Sequence, residues 1–265
     1  MKLNIVPAAT GVAWMKAGVK TFASQPLALG GLFFLFVGLM SVLSLIPVMG
    51  TVASLVLLPA VTLGLMQATR MVEAKRFPMP VVLATALMGS AQQRSAMLKL
   101  GGYYALAFLI TLGLTMLVDG GQFARFYMTG EGVTPEMMQQ GDIQMAAIVG
   151  TVLYIPLALL FWHSPALVFW YGVSPAKAMF FSLTACWRNV SAILVFFLSW
   201  GAVFLGSAVV VTILATLLGQ GLIQLVFTPL AMVLAAMVTV SVFFSVRDSF
   251  SDTLPPLPAV PPPAR

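Results

Sequence analysis

Residues 27–46 read LALGGLFFLFVGLMSVLSLI, twenty positions without a charged side chain. A helix of about 20 apolar residues matches a hydrocarbon core of roughly 30 Å. Thirteen of these positions are Leu, Ile, Phe or Val. At about 0.3 to 0.6 kcal/mol each they favour insertion by roughly 4 to 8 kcal/mol, so the segment needs no polar partner to stay in lipid. Uncharged stretches of similar length recur at 52–69, 100–118, 145–162, 190–218 and 222–246. None shows the ten-residue alternation of an outer-membrane barrel. The expected fold is therefore an all-α integral membrane protein with six transmembrane helices in a single domain, 1–252. The Pro-rich segment 253–265 is expected to be a disordered cytoplasmic tail.

The rest of the 265-residue chain agrees: 60% of residues are hydrophobic and 8% charged, against about 25% charged in a typical soluble domain. So few ionisable groups cannot cover a water-facing surface, which excludes a soluble enzyme, a disordered protein and a secreted disulfide scaffold. Cys186 is the only cysteine and His163 the only histidine. No intrachain disulfide can form, and no Cys/His cluster is available to hold a metal.

Net charge follows from topology. With six alternating spans, Lys2, Lys16, Lys20, Arg70, Lys75, Arg76, Arg94, Lys99, Lys177, Arg188, Arg247 and Arg265 fall on one side and Arg125 alone on the other. The positive-inside bias then places both termini in the cytoplasm. The loop 119–142, with four of the seven acidic residues, lies outside. The excess of 13 basic over 7 acidic residues thus calls for no nucleic-acid partner. Lys2 with the apolar run after it loosely resembles a signal peptide, but Pro7 interrupts the run and no small-residue cleavage pattern follows.

Three segments read as amphipathic interfacial helices. In the first, Val12, Met15, Val19 and Phe22 recur at helical spacing beside Lys16 and Lys20, which predicts an apolar side toward lipid and lysines toward anionic headgroups. In the second, after Pro80, Leu83, Ala84, Leu87, Met88 and Ala91 oppose Thr85, Gly89, Gln92 and Gln93; in the third, after Pro175, Met179, Phe180, Leu183 and Trp187 oppose Lys177, Thr184 and Arg188. Each precedes an odd-numbered span. Each even-numbered span carries an interior proline, Pro59, Pro156 or Pro229, which removes a backbone bond and bends the helix. The pattern predicts three parallel repeats, 7–70, 78–163 and 175–247, each an interfacial helix, a straight span and a kinked span. Small residues Ala60, Gly64 and Ala68, and Ala202 with Gly206, predict close helix packing within the chain. Trp14, Trp162, Trp170, Tyr171 and Trp187 are expected to anchor at the cytoplasmic boundary.

Residues that could carry chemistry are sparse. His163 stands at the cytoplasmic end of the fourth span, while Asp119 is on the opposite face roughly 30 Å away, so a proton relay between them is excluded. Ser164 beside His163 lacks an acid to orient the imidazole. The expectation is a structural histidine, snorkelled or bonded to backbone. Asp119-Gly120-Gly121 reads as a turn, Asp142 as the N-cap of the fourth span, and Thr134-Pro135-Glu136 as the start of a short helix. Met128, Met137, Met138 and Met145 offer thioethers that copper(I) would accept, but clustering is unsurprising among 17 methionines. Cys186 reads as a packed or lipid-facing thiol rather than a nucleophile or acylation site. No phosphate-loop or metalloprotease motif occurs, and no charge is buried mid-span. No catalytic, cofactor-binding or metal residue is therefore assigned.

The order of Val6-Pro7-Ala8 with Gly11 and Trp14, Gln25-Pro26-Leu27-Ala28, Pro59 with Thr62-Leu63-Gly64, Asp119-Gly120-Gly121, Phe161-Trp162-His163 with Pro165-Ala166-Leu167, Ala185-Cys186 with Arg188-Asn189, and Arg247-Asp248-Ser249-Phe250 resembles a family of uncharacterised six-helix inner-membrane proteins of proteobacteria, chiefly beta-proteobacteria. The resemblance spans nearly the whole chain and implies an inner-membrane location with no assigned activity. Where it would place a second histidine after Trp170 this chain has Tyr171, which speaks against a two-histidine site. The expected role is non-enzymatic, through contacts with membrane lipids or an unidentified protein, in envelope maintenance or assembly of a partner. The alternative is passive carriage of an apolar or amphiphilic solute through a cavity lined by the kinked helices.

Overall fold

The computed structural model describes residues 2–129, 134, 141–219 and 221–250. Its regular structure is helical: α1 (Thr10–Ser24), α2 (Pro26–Ser44), α3 (Met49–Glu73), a 3-10 turn (Pro80–Ala84), α4 (Thr85–Met88), α5 (Ala91–Asp119), α6 (Gln122–Thr129), α7 (Gly141–Phe161), α8 (Ser164–Tyr171), α9 (Pro175–Arg188), α10 (Val190–Leu218) and α11 (Gly221–Ser249). Six helical stretches are long and apolar enough to cross a membrane: α2, α3, α5, the α7–α8 pair, α10 and α11. The third begins well before its apolar run. Ser90 accepts from the Gln93 backbone and Gln93 returns a bond to the Ser90 N–H, a capping box that starts α5 before the uncharged run at 100.

The helix α3 is the hub. More than half of its most apolar window is buried (56%), against 17–28% for the other five spans. It packs on α2, α5, α11, α8 and the 3-10 turn. From Leu63 to Thr69 every α3 residue is buried, and Gly64 lies so close to Leu83 and the Val82 carbonyl that a Cβ there would collide with both. The Ala60, Gly64, Ala68 ridge thus packs as expected. Ala202 and Gly206 do not: both are exposed on α10, and no atom stands within 4 Å of where a Gly206 Cβ would be. Pro59, Pro156 and Pro229 are interior to α3, α7 and α11, and the odd-numbered spans have no interior proline.

The short segments differ from the lipid-surface picture. Of the predicted apolar face of α1, Phe22 is buried, Val12 and Met15 are half-buried and Val19 is exposed; the side turned to protein is that of Gly11, which sits on the backbone of Ala192 and Phe196 in α10, Gly18, which sits on Ser241 in α11, and buried Trp14. Lys16 and Lys20 stay exposed on the other face, as expected. Packing wins because glycine at 11 and 18 lets backbones approach more closely than any lipid chain could. The second amphipathic helix is broken into the 3-10 turn and the four-residue α4, since Gly89 is extended and Ser90 begins a new helix that takes Gln92 and Gln93 with it. Both pieces pack on α3, while α9 packs on α7 and α8. Helices α1 and α9 therefore rest on neighbouring hairpins more than on the spans that follow them, and the second segment packs on α3 as well as on α5, the span it precedes.

A polar clasp closes the chain on itself. The backbone of Leu3 and Asn4 pairs with Ser249 and Phe250, and Asn189 accepts from the Val6 N–H and donates to the Asn4 carbonyl. Trp14 Nε1 donates to Asp248 at 3.0 Å and Thr21 to Glu73 at 2.6 Å. The tail 253–265 lies outside the described residues.

Candidate functional site

The fourth span breaks at Trp162 and His163. Pro165 has no N–H to return to the Phe161 carbonyl, and the next bond back, from the His163 N–H to the Leu159 carbonyl, is interrupted by a side chain. The Ser182 hydroxyl of α9 stands between them: it accepts from the His163 N–H at 2.9 Å and donates to Leu159 O at 2.7 Å. The opening turns the imidazole inward, where it is 1% exposed. His163 is not snorkelled.

Its partners come from elements distant in sequence. Cys186 Sγ of α9 lies 3.7 Å from His163 Nδ1, and Ser245 Oγ of α11 lies 3.4 Å from Nε2. Ser245 uses its own proton on the Val242 carbonyl and accepts from Trp162 Nε1 at 3.0 Å. Its oxygen can therefore only accept from the imidazole, which assigns the proton to Nε2 and leaves Nδ1 an acceptor facing the Cys186 thiol, whose one proton is shared between Nδ1 and the Leu159 carbonyl at 3.8 Å. Phe250 meets the ring edge-on at 5.4 Å. Each ring nitrogen faces a polar side chain, and the dyad is sealed: Cys186 is also 1% exposed. Burial pushes the Cys186 thiol up to about 12, so it stays protonated and weakly nucleophilic.

Sequence reasoning found both residues but not their meeting. Ser182 and Ser245 carried no signal, being two serines among many on apolar helices. Two of the boundary aromatics are likewise internal. Trp14 is buried, and Trp170 donates to buried Gln67 at 3.2 Å under the Arg70 guanidinium. Trp187, 73% exposed, fits the anchoring role.

At the other end of the bundle Asp119 accepts from the backbone N–H groups of Gly121 and Phe123, with Gly120 and Gly121 at positive φ, the turn read from the sequence. Asp142 falls in the first turn of α7 rather than at its cap. Thr134 is outside any helix, and Pro135, Glu136, Met137 and Met138 lie outside the described residues. Met128 and Met145 sit on α6 and α7. Among the described residues no three His, Cys, Asp or Glu side chains are grouped to hold a metal.

Two clefts open in this half. One, of about 360 Å³, lies between α3, α5, α6 and α7 and is lined by Tyr104, Phe108, Phe123, Tyr127 and Tyr154, with Thr111, Thr115 and Thr151. The Tyr104 and Tyr154 hydroxyls are 3.4 Å apart. A second, of about 410 Å³, lies between α2, α3 and α6 and shares Leu58 and Tyr127 with the first. Tyr127 roofs both; burial and then the neighbouring Tyr154 push its phenol up, so it remains a donor.

The chain is 33% identical over 265 residues to a probable inner membrane protein of Burkholderia thailandensis, covering 98% of each. The chain belongs to that protein's family. Its relative comes from a beta-proteobacterium, as the resemblance implied, and the protein is accordingly a multi-pass inner-membrane protein. No family model matches the chain, and no solved structure matches it.

Proposed function

We propose that this inner-membrane protein is non-enzymatic, keeps both termini in the cytoplasm, and works through lipid contacts by holding an apolar or amphiphilic molecule in the aromatic cleft between α5, α6 and α7. The cleft carries the reading. Its volume of about 360 Å³ lies in the range of small-molecule sites, whose walls are mostly apolar with few polar groups. The sealed His163–Cys186 dyad supports the non-enzymatic part, because no substrate reaches either residue without unpacking α9. Carriage across the membrane fits less well, since α3 is buried continuously from Leu63 to Thr69 below both clefts. The basic residues at the ends of α3, α9 and α11 support the orientation.

TEMPO benzoate, an uncharged lipid-soluble spin label with an aromatic ring, added to the protein in nanodiscs tests the holding role. An immobilised component is expected for the native chain and is expected to vanish in Ala147→Trp, which fills the cleft. Equal immobilisation in both would refute the reading. A reporter fused after Arg265 is expected to be active in the cytoplasm and one inserted at Gly130 outside; both on one side would refute the orientation.

A further inference from the structure

The cleft's chemistry selects among lipid-soluble molecules. Among the described residues its lining contains no Lys, Arg or His, so a phosphate or carboxylate drawn into it would be an unpaired charge in an apolar site. The guest's buried part is neutral. Five aromatic rings form the wall, and three of them surround Phe108: Tyr104 stacks at 6.2 Å, Tyr127 tilts at 5.0 Å and Tyr154 stands edge-on at 6.2 Å. Such surfaces favour a planar ring over a flexible acyl chain.

The hydrogen-bond inventory is specific. Thr111, Thr115 and Thr151 each donate back to their own helix, to the carbonyls of Ala107, Leu112 and Ala147, and present only lone pairs. The Tyr104–Tyr154 pair owns two protons, and one bond between the hydroxyls consumes one of them. The Tyr127 phenol is a further donor on the lining; of the pair's own two protons, one is left over. It is matched by a carbonyl oxygen. Thr151 and Tyr154 are exposed at the mouth of the cleft, where a hydrocarbon tail would leave for the bilayer.

We infer that the cleft binds a lipid-soluble quinone, with the ring against Phe108 and one carbonyl accepting from the Tyr104–Tyr154 pair. This rests on the holding role proposed above and names its guest. No redox step is part of it; the site binds.

Two photoreactive probes, an azido-benzoquinone with a short isoprenoid tail and an azido-fatty acid, test it on the full-length protein in nanodiscs with peptide mapping. The quinone is expected to label peptides from 104–127 and 147–154 and to be displaced by a short-chain benzoquinone. The tyrosine pair predicts a pattern. Tyr104→Phe and Tyr154→Phe singly each leave one donor and shift the displacing concentration less than about 3-fold, whereas the double variant shifts it about 10-fold, close to one hydrogen bond. Thermal melting of each variant serves as the folding control. Cleft labelling by the fatty acid but not by the quinone overturns the quinone assignment and leaves the holding role standing; labelling of the cleft by neither overturns both. A double variant that binds like the native chain, or a single variant as impaired as the double, overturns the donor argument.

Discussion

The two halves of this bundle are built differently. At the termini end, backbones touch through Gly11, Gly18 and Gly64, and polar side chains from remote segments bond across: Asn189 to the N-terminus, Asp248 to Trp14, Ser182 into the broken turn at His163. At the loop end the same spans separate enough to leave two clefts, and Thr111, Thr115 and Thr151 there bond their own helices, with Thr51 reaching across to the Met128 carbonyl of α6. Side-chain bonds between helices lock one arrangement; bonds within a helix leave its neighbours free to move apart. The comparison assigns stability to one end and accommodation to the other.

The largest effect that could break this division lies at adjacent glycines. A Cβ on Gly101 would collide with the Val56 carbonyl, whereas none of the neighbouring atoms lies within 4 Å of one on Gly102. Gly101→Val is expected to lose 3 kcal/mol or more, on the order of a severe overpacking, and Gly102→Val no more than about 1. Melting in detergent measures both; equal losses would show that the α3–α5 seam is not tight.

Next comes the buried dyad. His163→Ala removes the Nε2 donor, the Nδ1 acceptor and the ring under Phe250, with an expected cost of about 3 kcal/mol. Cys186→Ala is expected to cost about 1 to 2 kcal/mol. If the protein is non-enzymatic, both variants complement loss of the native chain once membrane abundance is matched. Failure of either at matched abundance would make the dyad functional.

The Cys186 thiol provides a pH test. Its folded value is raised above that of an unfolded thiol, so its stabilising contribution is complete below the unfolded value and is lost as pH rises through about 12. Maleimide at pH 8 is therefore expected to modify Cys186 only after denaturation. Rapid modification of the native protein would mean that α9 opens.

A smaller loss is expected at the loop end, where Asp119→Ala deprives the Gly121 and Phe123 N–H groups of their acceptor for about 1 kcal/mol. Smallest is Trp187→Ala at an exposed position, within about 0.5 kcal/mol.

The spans were legible because lipid imposes a one-dimensional rule: length and apolarity suffice whatever the helix touches. The Asp119 turn was legible because its partners are two and four residues away. The site was not. Cys186, Ser182 and Ser245 reach His163 across separations of 19 to 82 residues, and period alone cannot report which helices adjoin. The burial of α1 escaped for the same reason, since Trp14 and Phe22 look identical in sequence whether lipid or protein covers them. Gly11 and Gly18, which decide between those covers, carry no hydrophobic signal at all.

The docking of α1 against α10 and α11 has a consequence in time. Ribosomes add roughly 5 to 20 residues per second, and about 225 residues separate the end of α1 from the end of α11. For roughly 10 to 45 seconds after α1 is made, α11 is incomplete and the side of α1 that carries Gly18 lacks its neighbour. The seat of α1 is thus closed by the last described helix to be made.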